Sequence, residues 1–333
     1  MRDRPTEVTE RDLARALADG WGIGVAALRY AAVGGGSYHW VVDDGQGKRR
    51  FVTVDDLDGK GWLGRTRPAV FDGLRTVMDA ALTLRRDVGL GFVVGPVPAL
   101  DGQTVWPLGP RHAVAVFPFL RGTPGRWGEL PSAPERTELV EMLATLHRVD
   151  PAMLVPTLRT HEIGLAWRGD LEVALRELDR PWDGGPFAEP ARSLLAATAP
   201  RIRQRLDTLD RWDGDGAAAG ETVITHGEPH PGNVIREPGG DTMLIDWDTV
   251  GLARPERDLW MVASDTGGSR ELCHYIELTG RPVDAAVLGL YRMRWALDDL
   301  SCFVREVRAA HRRTPGTEHA WRSLELSVAQ LTR

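Results

Sequence analysis

The side chains best suited to chemistry lie in Thr225-His-Gly-Glu-Pro-His-Pro-Gly-Asn233 and in Ile245-Asp-Trp-Asp248. Glu228 precedes Asn233 by five residues, on a loop stiffened by two prolines and two glycines. Residues 234–235 begin a strand, Pro238-Gly-Gly-Asp241 reads as a turn, and Met243-Leu-Ile245 returns to deliver Asp246. Such a hairpin gathers Glu228, Asn233 and Asp246 at one spot. A carboxylate to orient an acceptor hydroxyl, with an amide and a second carboxylate to hold Mg2+ on phosphates, is what phosphoryl transfer needs. Singly, each residue would suit a tight turn or a helix cap. Their spacing, the hairpin and the second acid together point to chemistry.

Other elements must position this set. Residues 9–18 read as a helix with Thr9 as N-cap and Leu13, Ala16 and Leu17 on one face; Gly20 and Gly22 end it. Short β-rich runs follow at 28–33, 38–42 and 50–54. The first two are separated by Gly34-Gly-Gly-Ser37, the second pair by the turn cluster 43–47. Residues 69–88 form a helix with Val70, Leu74, Val77, Ala81 and Leu84 as its apolar stripe. Strands are expected at 103–108 and 113–117, and Phe117-Pro-Phe-Leu-Arg-Gly122 then marks a connector. The second half is mainly helical: 134–147, 171–178, 190–197, 201–212 and from 257 onward, with loops at 184–185 and 214–220. The expected fold class is therefore α+β. A small antiparallel N-terminal lobe (1–118) would bind nucleotide; a mainly helical C-terminal lobe (119–333) would carry the catalytic loop, metal and acceptor.

With 333 residues the chain can bury a full core in two domains or lobes. Its net charge of −6 disfavours nucleic acid, which demands a basic footprint. No apolar run approaches the ~20 residues needed to span a bilayer, and the charged start leads into no apolar segment. A cytoplasmic protein, monomeric or homodimeric, is expected. Cys273 and Cys302 show no metal or redox spacing and read as free buried thiols. Arginine almost wholly replaces lysine; only Lys48 and Lys60 occur.

The catalytic-loop and Asp-Trp-Asp segments resemble those of the aminoglycoside phosphotransferase superfamily, which have the form His-Gly-Asp-x-x-x-x-Asn and Ile-Asp-x-x. Within it the chain is most similar to the spectinomycin phosphotransferases. The likeness extends to residues 22–37, to Ala253-Arg-Pro-Glu-Arg-Asp-Leu259, to Phe117-Pro-Phe119, and to Tyr291-Arg292 with Asp298-Asp299. It implies a protein-kinase-like bilobal fold, ATP or GTP with Mg2+, and a small-molecule acceptor, with antibiotic resistance as a role. It puts Glu228 at the base position, Asn233 and Asp246 at the magnesium positions, and His226 and Asp258 in structural roles, Asp258 as a brace of the loop. Gly35, Gly36, Ser37, Thr53, Phe117 and Phe119 would face the nucleotide. Asp298, Asp299 and Trp295 suit either surface ion pairing or an acidic pocket for a cationic acceptor.

Two departures stand out. Glu228 replaces an aspartate and reaches one methylene further. Thr53 stands where the family has a lysine on its third strand, and a threonine cannot clamp phosphates. Lys60 and Arg65, just downstream, are the nearest cations that could replace it, although a solvated loop is the favoured reading for both. A nucleotide- or metabolite-binding pseudokinase is the alternative to an active kinase. A hydrolase lacks its motifs.

Overall fold

Thr9 starts the first helix as its position predicts, accepting the Asp12 N–H at 3.1 Å. This helix, α1, runs over Glu10–Trp21. The structure, a computed structural model, describes all residues except 127, 130, 155–157, 161–163, 215–219 and 264–269. It divides into two compact units: Met1–His161 with Glu221–Val283, and Glu162–Gly220 with Asp284–Arg333. These cut the chain differently from a junction at 118.

In the first unit, β1 (Val25–Ala31), β2 (Tyr38–Asp44), β3 (Arg49–Asp56), β4 (Trp106–Leu108) and β5 (His112–Pro118) form an antiparallel sheet. Its order is β1-β2-β3-β5-β4. Register puts Trp40 opposite Val52, and Val52 opposite Val116. With Val42, Val54 and Val114 these pack on Leu13, Leu17 and Trp21 of α1. The two-residue period therefore turns Thr53 and Asp55 to the other face of β3. Helix α2 (Arg67–Arg86) buries Val70, Leu74, Val77, Ala81 and Leu84, the stripe its sequence predicts.

The same unit holds the hairpin that delivers Asp246. Strands β8 (Val234–Arg236) and β9 (Thr242–Leu244) pair, and β6 (Thr123–Pro124) flanks β8. Leu244 donates to Phe92 O at 2.7 Å and accepts from Val94 N at 3.1 Å, which ties the hairpin to the segment after α2. Strand β7 (Val223–Thr225) pairs with β10 (Gly251–Ala253). Helices α3 (Ala133–His147), α6 (Glu256–Leu259) and α7 (Arg270–Thr279) complete the unit.

The second unit is helical: α4 (Arg168–Arg176), α5 (Ala188–Gly214), α8 (Ala285–Arg308) and α9 (Pro315–Leu331). The helices expected at 190–197 and 201–212 are one, with Pro200 inside. A proline mid-helix costs about 3 kcal/mol. Ala191, Leu195, Ala199, Ile202, Leu206 and Leu209 form an unbroken buried stripe across it, and their burial offsets that cost. Of the loop expected at 214–220, residues 215–219 lie outside the described residues.

Both cysteines are free, but Cys273 is exposed and Cys302 half-buried. The buried face of α7 is Glu271, Leu272 and Tyr275, and Cys273 falls off it. Among the described residues no helix is long and apolar enough to cross a membrane.

Leu297 is 0% exposed in the core shared by α5, α8 and α9. Truncation by Leu297→Ala should cost about 2–5 kcal/mol, read as a lowered urea midpoint with an unchanged slope.

Candidate active site

The loop 226–233 takes its shape from one buried carboxylate. Asp258, 0% exposed, accepts the His226 N–H at 2.8 Å through Oδ2 and the Gly227 N–H at 2.6 Å through Oδ1. His147 Nε2 sits 3.1 Å from Oδ2, and its Nδ1 lies 2.9 Å from the Tyr275 hydroxyl. Burial alone would raise the Asp258 carboxyl, but hydrogen bonding and charge from His147, with Arg257 nearby, hold it below the usual carboxylate range. Gly227 has φ +100°, and a Cβ there would stand 2.3 Å from Arg257 Nη2, so only glycine fits. The Arg257 guanidinium itself donates to Thr225 Oγ1 at 2.7 Å and to Thr249 O at 2.8 Å.

His226 is the next support. The Glu228 N–H donates to His226 Nδ1 at 3.2 Å, so Nε2 carries the proton and donates to Ile245 O at 2.9 Å. A neutral imidazole thus joins the loop to the strand end that delivers Asp246. Its ring meets Trp247 edge-on at 4.6 Å between centroids. Burial pushes the imidazole down to about 4. Asn233 Nδ2 donates to Glu228 O at 2.9 Å. That bond commits the amide nitrogen and leaves the amide oxygen as the donor for a cation.

Asp246 has φ 66° and is, among the described residues, the one non-glycine with a left-handed backbone. Such a conformation stores strain and persists where the surroundings hold it, commonly at functional sites. Crowding by protein atoms, then the like charges of Asp248 and Glu228, push its carboxyl well above the ordinary range, against the pull of Lys60. Solvent reaches this side chain, which tempers the first cause; the like charges act regardless. The spot carries more negative charge than its one lysine balances.

That lysine corrects an expectation. Lys60 is not on a solvated loop; it is 0% exposed. Its Nζ lies 2.5 Å from Asp248 Oδ2 and 3.0 Å from Asp55 Oδ1. Burial would lower its pKa, but Asp248, Asp55 and Asp246 more than compensate, and the ammonium stays charged. The loop is turned inward by Leu57 and Leu63, both buried. It can approach α2 because Gly73 has no side chain; a Cβ there would stand 2.4 Å from Leu63 O. Arg65 is exposed, as expected.

The glycine-loop residues Gly35 and Gly36 are exposed between β1 and β2. Ser37 Oγ donates to Asp55 Oδ1 at 2.5 Å, and Thr53 Oγ1 to Asp55 Oδ2 at 3.4 Å. Phe117 lies opposite Phe51 near the end of β5, and Phe119 stacks under the Arg49 guanidinium at 5.6 Å. Glu228, Asn233, Asp246, Ser37 and Thr53 thus fall around one charge cluster. Asp298, Asp299 and Trp295 belong to α8 of the second unit. There Asp298 accepts the Ala166 N–H at 2.9 Å and meets Arg294 at 3.5 Å.

Sequence reasoning missed Asp55 and Asp248 as site residues, and it named Lys60 as a candidate substitute cation while favouring a solvated loop for it. Asp248 stood in the Asp-Trp-Asp motif. Lys60 was one of only two lysines, flanked by two leucines that predict an anchored loop.

For a metal, the donors on hand are oxygens: the Asp246 carboxylate and the Asn233 amide. Among the described residues no cluster of three or more acidic, histidine or cysteine side chains forms a complete cage. Mg2+ needs none, since it takes one or two carboxylates and fills its shell with water and phosphate. The donor set and the excess negative charge fit that ion.

His226 makes folding stability pH-dependent. Its folded pKa of about 4 lies below the ordinary 6.5, so the unfolded chain binds a proton first as pH falls. The stabilisation is full above 6.5 and is lost towards 4. Between pH 7.5 and 5.0 the wild type should lose about 2 kcal/mol more than His226→Gln, measured by urea unfolding of both.

A family model described as the phosphotransferase enzyme family matches residues 91–282. No curated protein sequence matches the chain. Among solved structures, spectinomycin phosphotransferase in complex with ADP and spectinomycin superposes with a TM-score of 0.74 at 17% identity, covering 98% of each chain. Choline kinase from Streptococcus pneumoniae gives 0.55 at 13% identity, over 96% of this chain and 98% of that one. Macrolide 2'-phosphotransferase from Brachybacterium faecium gives 0.53 at 18% identity, over 94% and 96%. These likenesses establish the kinase-like α+β fold. The matched residues, more than half the chain, include the braced loop, Asn233 and Asp246. The chain belongs to the phosphotransferase enzyme family.

Proposed function

We propose that this protein transfers the γ-phosphoryl group of ATP or GTP to a hydroxyl of a small polar molecule. The observation that carries the reading is the Asp258-braced loop that sets Glu228 and Asn233 beside a strained Asp246. The acceptor oxygen forms the new P–O bond, the bond from the γ-phosphorus to the β–γ bridging oxygen breaks, and the nucleoside diphosphate leaves with that electron pair. Glu228 orients the hydroxyl and takes its proton. The transition state is loose, so orientation matters more than basicity, and a longer glutamate on a loop fixed by Pro229 and Pro231 can serve. Asn233 and Asp246 would hold Mg2+, which supplies charge neutralisation at the phosphates when bound.

For the acceptor we favour a cationic aminocyclitol, aminoglycoside or amino sugar. The motif likeness supports this. The pseudokinase reading rested on Thr53 and Glu228; a charged lysine buried in the same cluster removes half of its motive.

The test is nucleotide consumption against a panel of aminocyclitols, amino sugars, sugars and choline. Asp246→Ala should lower kcat about 10³-fold. Glu228→Gln should lower it about 10²-fold with nucleotide affinity within about twofold. Turnover that persists in Asp246→Ala would remove the metal assignment. Absence of any thermal shift with ATP and Mg2+ would remove the kinase reading itself.

A further inference from the structure

On the third strand, the Thr53 hydroxyl donates towards Asp55 at 3.4 Å. Asp55, two residues on and on the same face of β3, is buried and pairs with Lys60 at 3.0 Å. Lys60 comes from the loop that follows β3, yet its Nζ reaches Asp248 at 2.5 Å, within the segment that carries Asp246. It also lies beneath the glycine loop: a Cβ on Gly36 would be 3.7 Å from Nζ. The ammonium thus sits where the glycine loop, the third strand and the Asp-Trp-Asp segment converge. The α2 acids are occupied elsewhere. Asp79 accepts from Thr104 at 2.6 Å, and Asp72 pairs with Arg75.

We infer that Lys60 is the phosphate-clamping cation of this protein, supplied by the loop after β3 in place of a lysine at position 53, with Asp55 as its anchor. This rests on the nucleotide-binding reading above. A buried lysine is stable only when its charge is matched, and Asp55 and Asp248 match it. A phosphate oxygen can exchange with the Asp248 carboxylate as partner to Nζ, while Asp55 keeps the lysine in place. The loop lying over Nζ is the exposed Gly34–Gly36 run. Asp55 is a positioning residue here; it also holds Ser37 and hence the glycine loop.

The test compares ADP with adenosine, which differ only in the phosphates, with Mg2+ present throughout. In wild type both should bind, ADP more tightly. Lys60→Met should weaken ADP about 10- to 100-fold and leave adenosine within about twofold. Adding Thr53→Lys to that variant should restore much of the ADP preference. A preference for ADP that survives Lys60→Met in a folded protein overturns the assignment. Because removing Lys60 leaves two buried carboxylates unmatched and can unfold the chain, the wild type is also read directly. The protein has two lysines, so 15N-lysine labelling yields two Nζ resonances. ADP should shift that of Lys60, and adenosine should not; bound ADP without a shift overturns the assignment. If neither ligand binds wild type, the nucleotide-binding reading fails first.

Discussion

One buried ammonium joins two ends of the first unit. Lys60 pairs with Asp55 from the N-terminal sheet and with Asp248 from the segment after the β8–β9 hairpin. Taking these charges out of water costs several kcal/mol per ion, and only close pairing returns it. The sheet, the loop after β3 and the Asp-Trp-Asp segment must therefore keep one register with each other. Ser37 extends the same arrangement to the glycine loop through its bond to Asp55.

A second buried carboxylate does the complementary work on the backbone. Asp258 accepts two consecutive N–H groups of the 226–233 loop and is itself held by His147. Neutral His226 passes that order to Ile245, the residue before Asp246. The left-handed backbone of Asp246 is thus over-determined from both sides. The two networks divide their tasks: one fixes where the loop runs, the other concentrates charge where the loop ends.

The charge cluster remains acidic even with Lys60 in place. Crowding by protein atoms, then the like charges of Asp248 and Glu228, raise the Asp246 carboxyl well above the usual range. A site in this state favours cations and disfavours bare phosphate. In the proposed reaction a nucleotide would come with its metal, and the metal would balance what the protein leaves unbalanced. Glu228 adds to the acidity at longer reach than an aspartate would.

The hairpin, the stripes of α1 and α2, and the gathering of Glu228, Asn233 and Asp246 were legible in the sequence. They depend on local spacing: period-two and period-3.6 patterns, turn residues, and a motif within twenty-odd residues. The bracing by Asp258, 32 residues from His226, was an implication of the family likeness. What the sequence could not decide were contacts between segments far apart. Lys60 reads as solvated because aspartates and glycines surround it; its partner Asp248 lies 188 residues away. Pro200 reads as a helix break because the local cost is visible, whereas the core that offsets it comes from other helices. Local propensity identifies the elements and the motif. Only the tertiary structure decides which charges are buried together, since the energy of a buried charge depends on its neighbours in space.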